Sequence, residues 1–308
     1  MSLRTRVLTR AGFAVLAVYL VITLTFLVVV FTPDTNLRGM LGTALWSGAT
    51  PAEMEQMRET YMAVRGRNRP LYQRYLDWMV NVTLFRWGLS ASMGEPVTQV
   101  VADASLRTAK YLVPGAVTAW VVGVAAGIRS ARERGSRFDR LGRLATYVLF
   151  GLPGFWLAAI AVVAIESDWA LLYDVLVPAG VVAAALLAGQ VSLTRSRSID
   201  EFDADYVRYL RAKGLSEYGI DRRVLRNVLV PVLSMTAAEL FSVLVLSAVV
   251  IEELLGIRGI GWLTYRATQE NDIPLILGTT MVLVFVGVGG SIVTDLASAW
   301  LDPRSRES

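Results

Sequence analysis

Residues 203–231 read D-A-D-Y-V-R-Y-L-R-A-K-G-L-S-E-Y-G-I-D-R-R-V-L-R-N-V-L-V-P, a basic segment between two apolar stretches. The first half predicts a helix whose apolar face carries Phe202, Tyr206, Tyr209 and Leu210. Gly214 predicts the end of that helix, and Ser216 can cap the start of a second short helix. We call this segment the elbow; a helix–glycine–helix elbow at a membrane surface favours contact with another protein.

The apolar stretches make this an all-α polytopic membrane protein. Of its 308 residues, 54% are hydrophobic, and the mean hydropathy is +0.50, which is too apolar for an ordinary soluble domain. A bilayer takes roughly 20 apolar residues to cross, and six stretches are long enough: 11–31, 111–128, 144–165, 175–193, 229–251 and 276–296. The first lacks a small-residue cleavage site and is followed by more spans, so we interpret it as a retained helix.

The composition excludes several kinds of site. Cysteine and histidine are both absent, which excludes disulfides, thiolate chemistry and the usual zinc sites. No G-x-x-x-x-G-K-[ST] motif is present, so we expect no ATP site in this chain. No Ser/His/Asp set occurs either, and we therefore predict a non-enzyme with no resident cofactor or metal. The net charge of +4 favours a membrane topology signal over nucleic-acid binding.

The short loops predict the orientation, because cytoplasmic loops carry an excess of Lys and Arg. The loop after the second span has six arginines between positions 129 and 143, and the elbow is also basic. By contrast, the loop after the third span contains Glu166, Asp168 and Asp174 with no Lys or Arg. We therefore expect an inner or plasma membrane protein with both termini, the 129–143 loop and the elbow in the cytoplasm.

Several short motifs resemble one family of transport proteins. The elbow contains D-Y-V-R-x-x-R-A-K-G-L followed by R-N-x-L-x-P-V, and L-T-R-S lies at 193–196. G-L-P-G-F-W at 151–156 is similar to S-x-P-x-F-W, N-D-I-P at 271–274 to R-D-Y-P, and L-D-P-R lies at 301–304. In this order they resemble permease subunits of ABC importers, in particular the dipeptide, oligopeptide and nickel branch.

This resemblance implies a complete importer. It implies a second homologous permease subunit, two ABC ATPase subunits that bind ATP and magnesium, an extracytoplasmic binding protein and, as substrate, di- or oligopeptides. Nickel chelates or oligosaccharides are the alternative substrates, and an ion-coupled secondary transporter is the alternative class. The elbow residues that the resemblance assigns to ATPase docking are Asp205, Tyr206, Arg208, Arg211, Ala212, Lys213, Gly214, Leu215, Arg226, Asn227 and Pro231.

The chain departs from the family pattern at three places. Permeases in general carry E-A-A where this chain has Arg208, Tyr209 and Leu210. The G-D-L-G-x-S motif is reduced to F-R-W-G-L-S at 85–90, and P-G-x-G becomes R-G-I-G at 258–261.

The apolar stretches also divide the chain. Residues 1–10 are the predicted cytoplasmic N-terminus, 11–31 the first span, and 32–110 an extracytoplasmic helical insertion. Residues 111–308 form the core with five spans and a coupling loop at about 195–230. In the insertion we expect helices from Pro51, over 71–84, and from Pro96 to Thr108. The insertion is interpreted as a structural lid or as a docking surface for the binding protein.

Three residues are candidates for the translocation path. Glu239 lies near the middle of the fifth span, where a carboxylate is costly and is expected to face a watery path or a partner. A buried structural acid is the alternative. Gln190 is predicted to make an interhelical hydrogen bond, and Pro153 to kink the third span. Gly123 and Gly127, four residues apart, predict close helix packing.

Overall fold

The computed structural model describes residues 3–31, 35–64, 68–164, 172–243 and 248–301. Within these ranges, extended pairing is limited to one isolated bridge between Leu89 and Pro96. A π-helical turn at Leu172–Leu176 precedes α8. The helices are α1 (Leu3–Phe31), α2 (Thr35–Trp46), α3 (Pro51–Val64), α4 (Leu71–Thr83), α5 (Val97–Arg132), α6 (Arg137–Gly151), α7 (Gly154–Ala164), α8 (Val177–Asp203), α9 (Asp205–Ala212), α10 (Glu217–Ser242), α11 (Ala248–Leu255), α12 (Ile260–Gln269) and α13 (Ile273–Leu301).

Three helices are long and apolar enough to cross a membrane: α5, the segment 174–203 that includes α8, and residues 273–292 of α13. Two bent pairs pass the same test only together, namely α6 with α7 and the two halves of α10. Helix α1 carries a shorter apolar stretch at Val15–Val28. The described helices therefore supply three to five candidate spans. Glu166, Asp168 and Arg304, which entered the topology prediction or the motif comparison, lie outside the described residues.

Helices α5 and α8 form the centre of the molecule and run in the same direction. A Cβ added to Gly123 would lie 2.5 Å from Gln190 Cβ, and one added to Gly127 would lie 2.6 Å from Thr194 Cβ. Near the other end of the pair, Gly115 packs in the same way on Ala179. The close packing predicted from Gly123 and Gly127 is confirmed, because only glycine permits this approach of the two backbones.

The helix predicted to end at Thr108 and the second span are one continuous helix. Helix α5 has 36 residues and contains Pro114 in its interior, so it is about 54 Å long at 1.5 Å per residue. Nothing between Val97 and Lys110 has the chemistry of a helix stop, and lysine is itself a good helix former. Because a bilayer core is about 30 Å thick, α5 extends well beyond any membrane it crosses.

The third predicted span is broken, not kinked. Helices α6 and α7 meet at an angle of 93°, and Leu152, the first of the two residues between them, is extended with φ −105° and ψ 107°. Pro153 explains this break because proline disfavours helical backbone in the residue before it and donates no hydrogen bond. The prediction that Pro153 merely bends one helix was therefore wrong.

The elbow region differs from the prediction in two ways. Helix α8 ends at Asp203 and Ala204 is extended, so Phe202 belongs to α8 and shares no face with Tyr206 on α9. The predicted second short helix is not separate either: α10 continues from Glu217 through Pro231 to Ser242, with a bend of 42° at the proline. The elbow is thus built directly onto two long helices.

The predicted helices of the insertion are confirmed at Pro51 and Leu71. Thr50 and Glu53 form a reciprocal capping box at the start of α3, since each backbone N–H donates to the other's side chain. Helix α4 packs against α1, where Trp78 Nε1 donates to the carbonyl of Ile22 at 3.3 Å and the Tyr75 hydroxyl lies 2.8 Å from Thr23 Oγ1.

Candidate functional site

The elbow turns at Gly214 in the way that the sequence predicts. The Gly214 N–H donates to the Arg211 carbonyl at 2.9 Å, and the Leu215 N–H donates to the Leu210 carbonyl at 3.1 Å. This pair of bonds is a Schellman motif, which requires the left-handed backbone that Gly214 adopts at φ +77°. Ser216 then caps α10 by accepting a hydrogen bond from the Gly219 N–H at 3.3 Å.

The turn places cations and aromatic rings on an exposed surface, residues 208–218, which we call the elbow tip. All residues from 211 to 218 are exposed. Tyr209 and Tyr218 are 58% and 79% exposed, so this surface presents two large aromatic side chains to solvent. Lys213 Nζ lies 4.5 Å from the centre of the Tyr209 ring. The tip therefore offers a cationic and aromatic surface to a partner.

Two of the predicted docking residues bind a side chain of the elbow region itself. The Tyr206 hydroxyl and the Asn227 amide both donate to the Glu201 carboxylate, at 2.5 and 2.8 Å. Burial, together with the bond to Glu201, raises the pKa of Tyr206 to about 12, so the phenol stays protonated and keeps donating. These residues join α8, α9 and α10. Asp205, Arg208, Arg211, Ala212, Lys213, Gly214 and Leu215 lie on or beside the tip, whereas Arg226 and Pro231 lie farther along α10.

Ion pairs join the elbow to the 129–143 loop. Arg132 binds Asp221 at 2.6 Å and Glu217 at 3.0 Å, both at the start of α10. Arg134 binds Asp203 at the end of α8 at 2.9 Å. The two basic segments that the sequence assigns to one side of the membrane are therefore adjacent, and the base of the elbow is tied to the end of α5.

Sequence reasoning missed a buried acid beneath this loop. Asp139 is 1% exposed and accepts hydrogen bonds from Ser130 Oγ at 2.6 Å, from Arg195 Nε at 2.7 Å and from the Gly135 N–H at 3.0 Å. It therefore ties α5, α6 and α8 together. The available signal was the S-x-x-D pattern that starts at Ser136, a helix-start signature inside a basic loop.

A polar network lies between α8 and α10 at the candidate path. Gln190 Nε2 donates to Glu239 Oε2 at 2.6 Å, and Thr236 Oγ1 donates to Gln190 Oε1 at 3.0 Å. Gly189 provides the space, since a Cβ there would collide with Glu239 Oε1. The interhelical hydrogen bond predicted for Gln190 is observed. Glu239 is partly exposed. Pro153, the third candidate for the path, lies between α6 and α7 and takes no part in these two hydrogen bonds.

Glu252 is fully buried at the other end of α5. It accepts hydrogen bonds from Thr108 Oγ1 at 2.6 Å, from the Tyr111 hydroxyl at 2.8 Å and from the Trp262 N–H at 2.8 Å. Burial raises the pKa of Glu252, and these bonds oppose the shift. The carboxylate thereby caps α12 and fixes it to α5. Sequence reasoning did not single out this residue, although it directly follows an apolar span.

Asp272 joins two sequence motifs that lie far apart in the chain. Its carboxylate accepts from Ser90 Oγ at 2.6 Å, from Ser92 Oγ at 2.8 Å and from the Leu275 N–H at 3.2 Å. Ser90 belongs to the reduced G-D-L-G-x-S motif and Asp272 to N-D-I-P, so the insertion is anchored to the start of α13. In the part of the chain that the structure describes, no acidic residues cluster as metal ligands would.

The chain is similar to transport permeases over most of its length. Residues 123–307 match the family described as binding-protein-dependent transport system inner membrane components. A protein of Brucella abortus named for a peptide transport system permease is 28% identical over 97% of this chain and 98% of its own length. A metal-staphylopine import permease of Staphylococcus aureus is 26% identical over 92% of each chain. An oligopeptide transport permease of Bacillus subtilis is 28% identical over 82% of this chain and 85% of its own.

Proposed function

The chain belongs to the family of binding-protein-dependent transport system inner membrane components, and we propose that it is a pore-forming permease subunit of an ATP-driven importer of di- or oligopeptides. The family's members are membrane transport subunits, so the resemblance found in the short motifs is confirmed. The observation that carries the proposal is the elbow tip, an exposed cationic–aromatic surface between the short helix α9 and the long helix α10.

The proposed topology has six crossings, with both termini, the 129–143 loop and the elbow in the cytoplasm, and with residues 32–110 outside. Two observations support it. Helices α5 and α8 run in the same direction, as alternate spans must. The ion pairs of Arg132 and Arg134 place the two basic segments at one end of the molecule, which agrees with the charge rule for cytoplasmic loops.

We assign the elbow tip to docking on an ATPase subunit, which would hold the ATP and magnesium. Arg208, Arg211 and Lys213 supply charge, while Tyr209 and Leu215 supply apolar surface. Tyr206 and Asn227 act by fixing the elbow's shape through Glu201. A displacement of the tip would pass directly into α10, and through Arg132 into α5, so that the spans switch as rigid bodies.

The peptide assignment is supported by the names of the relatives, and the insertion is assigned to the lid and to docking of an extracytoplasmic binding protein. A second, homologous permease would complete the pore. We place Glu239 and Gln190 on the path of the substrate and the α6–α7 break at Pro153 beside it. A partly exposed carboxylate in this position would attract the cationic amino terminus of a peptide.

Co-purification tests the docking assignment. Changing Arg211 and Lys213 together to Glu reverses the charge of the tip without touching buried residues, and should abolish recovery of the ATPases with the permease and abolish uptake. The matched control changes Arg137 and Arg140, exposed on the other basic segment, to Glu. Full ATPase recovery and uptake in the tip variant would refute the assignment.

Labelling of single cysteines tests the topology, since the native chain has none. Cysteines at positions 137 and 217 should react with an impermeant maleimide only after the cells are opened, whereas a cysteine at position 59 should react in intact cells. Reaction at position 137 in intact cells would overturn the orientation.

A further inference from the structure

A small pocket of about 140 Å³ lies between α6 and α8, close to the 129–143 loop. It follows one stripe of each helix, because the side chains that line it recur at helical spacing. They include Arg143, Tyr147 and Phe150 on α6 and Ser192, Arg195 and Ser196 on α8. The lining thus combines two guanidinium groups and two hydroxyls with two aromatic rings.

The pocket carries an uncompensated positive charge. Arg195 binds the Asp139 carboxylate through Nε and Nη2, at 2.7 and 3.2 Å. Arg143 Nε lies 3.7 Å from the same carboxylate, beyond hydrogen-bond range. Asp139 already accepts from Ser130 and Gly135 as well. Two guanidinium groups therefore face one saturated carboxylate, and an additional anion would satisfy the second arginine.

The surface that continues from the pocket is apolar. Leu144, Tyr147, Val148 and Phe150 of α6 are between 54% and 70% exposed. A free phosphate ion would leave this surface in water, whereas an anion attached to hydrocarbon chains would cover it. Basic pockets between helices at the cytoplasmic face of membrane proteins bind the head groups of anionic lipids, and α6 begins at the basic loop.

We propose that this pocket binds the phosphate group of an anionic membrane phospholipid. Arg143 and Arg195 bind the phosphate oxygens, Ser192 and Ser196 donate hydrogen bonds from α8, and the acyl chains lie along Tyr147 and Phe150. The bound lipid would hold α6 against α8 at the break of the third span. This assignment is independent of ATPase docking, because it involves none of the residues of the elbow tip.

Native mass spectrometry of the purified full-length permease tests the site with short-chain lipids. Dioctanoyl phosphatidylglycerol should bind, and dioctanoyl phosphatidylcholine should bind at least several-fold more weakly. Arg143→Gln should weaken phosphatidylglycerol binding about tenfold, the loss expected for one charge-assisted hydrogen bond. Arg140→Gln, which removes the same charge from an exposed position on the same helix, should change it less than about twofold. Arg195 is left intact because it pairs with Asp139.

A second variant tests the shape of the pocket independently of its charge. Ser192→Leu fills the space without altering any charge and should also abolish phosphatidylglycerol binding, whereas Ser192→Ala should retain most of it. Equal binding of the two lipids, or equal losses in Arg143→Gln and Arg140→Gln, would overturn the proposal. Displacement of phosphatidylglycerol by an equal concentration of inorganic phosphate would assign the pocket to free anions instead. Binding by the monomer but not by the paired permease would assign the surface to the second subunit.

Discussion

The elbow tip and the buried acids use charge in opposite ways. At the tip, Arg208 and Arg211 have side chains that are 74% and 47% exposed, and their ion pairs with Asp205 and Glu217 are 3.4 Å long. Asp139 and Asp272 are each 1% exposed and accept three or more hydrogen bonds at shorter distances. Exposed pairs contribute about 0–1 kcal/mol, whereas a buried charge that loses its partner costs several kcal/mol.

The difference separates exposed charges, which we assign to a partner, from buried charges, which hold the fold together. Each buried acid joins elements that are remote in sequence: Asp139 joins α5, α6 and α8; Glu252 joins α5 and α12; Asp272 joins the insertion and α13. The link between the tip and α5, the pair of Glu217 with Arg132, is by contrast exposed on both sides. Variants of the buried acids should therefore lower the stability of the permease, whereas variants of the tip should impair its assembly with partner subunits.

The largest effect on stability is expected for Asp139→Asn. The variant leaves Arg195 partly buried without its counter-ion, and the free energy of unfolding should fall by about 3 kcal/mol. Chemical unfolding of the purified permease measures the change. Glu133→Gln is the matched control in the same loop: its exposed pair with Arg129 contributes less than about 0.5 kcal/mol. Equal changes in the two variants would remove the distinction between buried and exposed acids.

Asp272→Asn should have the next largest effect, about 2 kcal/mol, since an amide cannot accept all the hydrogen bonds that converge on the carboxylate. Burial alone would raise the pKa of Asp272, but the bonds from Ser90, Ser92 and Leu275 outweigh it and lower the pKa below its usual range. A lowered native pKa means that this contribution is present above the ordinary value of about 3.9 and is lost as the pH falls through the native value.

Unfolding of the wild type and of Asp272→Asn, measured near neutral pH and again in acid, shows whether the contribution of Asp272 to stability is lost as the pH falls. The stability difference between them should be largest near neutral pH and shrink in acid. Glu270→Gln removes a charge from an exposed position two residues away and should follow the wild type. A difference that grows in acid would contradict the assignment of Asp272 as an ionised anchor.

The sequence predicts local structure well where the chemistry is local. Gly214 and Ser216 end and begin helices as expected because a left-handed turn and a side-chain cap depend on few neighbours. Apolar length also located the three to five candidate spans, which coincide with five of the six predicted stretches; the first, 11–31, is not among them. The predictions of separate helices at 97–108 and after Ser216 failed because each helix continues into a span: nothing between Val97 and Lys110 stops α5, and Pro231 bends α10 without ending it.

The site was less predictable, for a different reason. The roles of Asp139, Glu252 and Asp272 depend on contacts across 9 to 182 positions of sequence, and hydrophobic periodicity contains no information about such pairs. The short motifs identified Ser90, Arg195 and Asp272 as members of a family pattern, but not that Ser90 contacts Asp272. Tyr206 and Asn227 were placed on the docking surface because the motif contains them, whereas they bind Glu201.

Gly214→Ala tests whether the shape of the tip, and not only its charge, matters for function. A left-handed backbone costs a residue with a Cβ about 1 kcal/mol, so the turn should relax and displace the tip, with little change in global stability. ATP hydrolysis should then continue while uptake falls several-fold. Gly219→Ala is the control, because its Cβ would meet only Leu215 and Ser216 atoms at 3.4 Å or more in an ordinary helical backbone. Unchanged coupling in Gly214→Ala would mean that the shape of the turn does not transmit motion.

The smallest effect on stability is expected for Glu239→Gln. Glu239 is neither fully exposed like the residues of the tip nor fully buried like Asp139. Glu239 is partly exposed, yet it accepts a 2.6 Å hydrogen bond from Gln190. A glutamine carbonyl at position 239 can accept the same bond, so unfolding should change by less than about 1 kcal/mol. If the carboxylate faces the path, its loss should nevertheless weaken uptake of peptides with a free amino terminus more than uptake of the same peptides acetylated. Uptake of such matched pairs distinguishes the two roles, since a purely structural acid would lower both equally or neither. Gln190→Leu is the complementary variant: it removes the donor but keeps the charge, and should reduce stability while leaving the preference for cationic peptides.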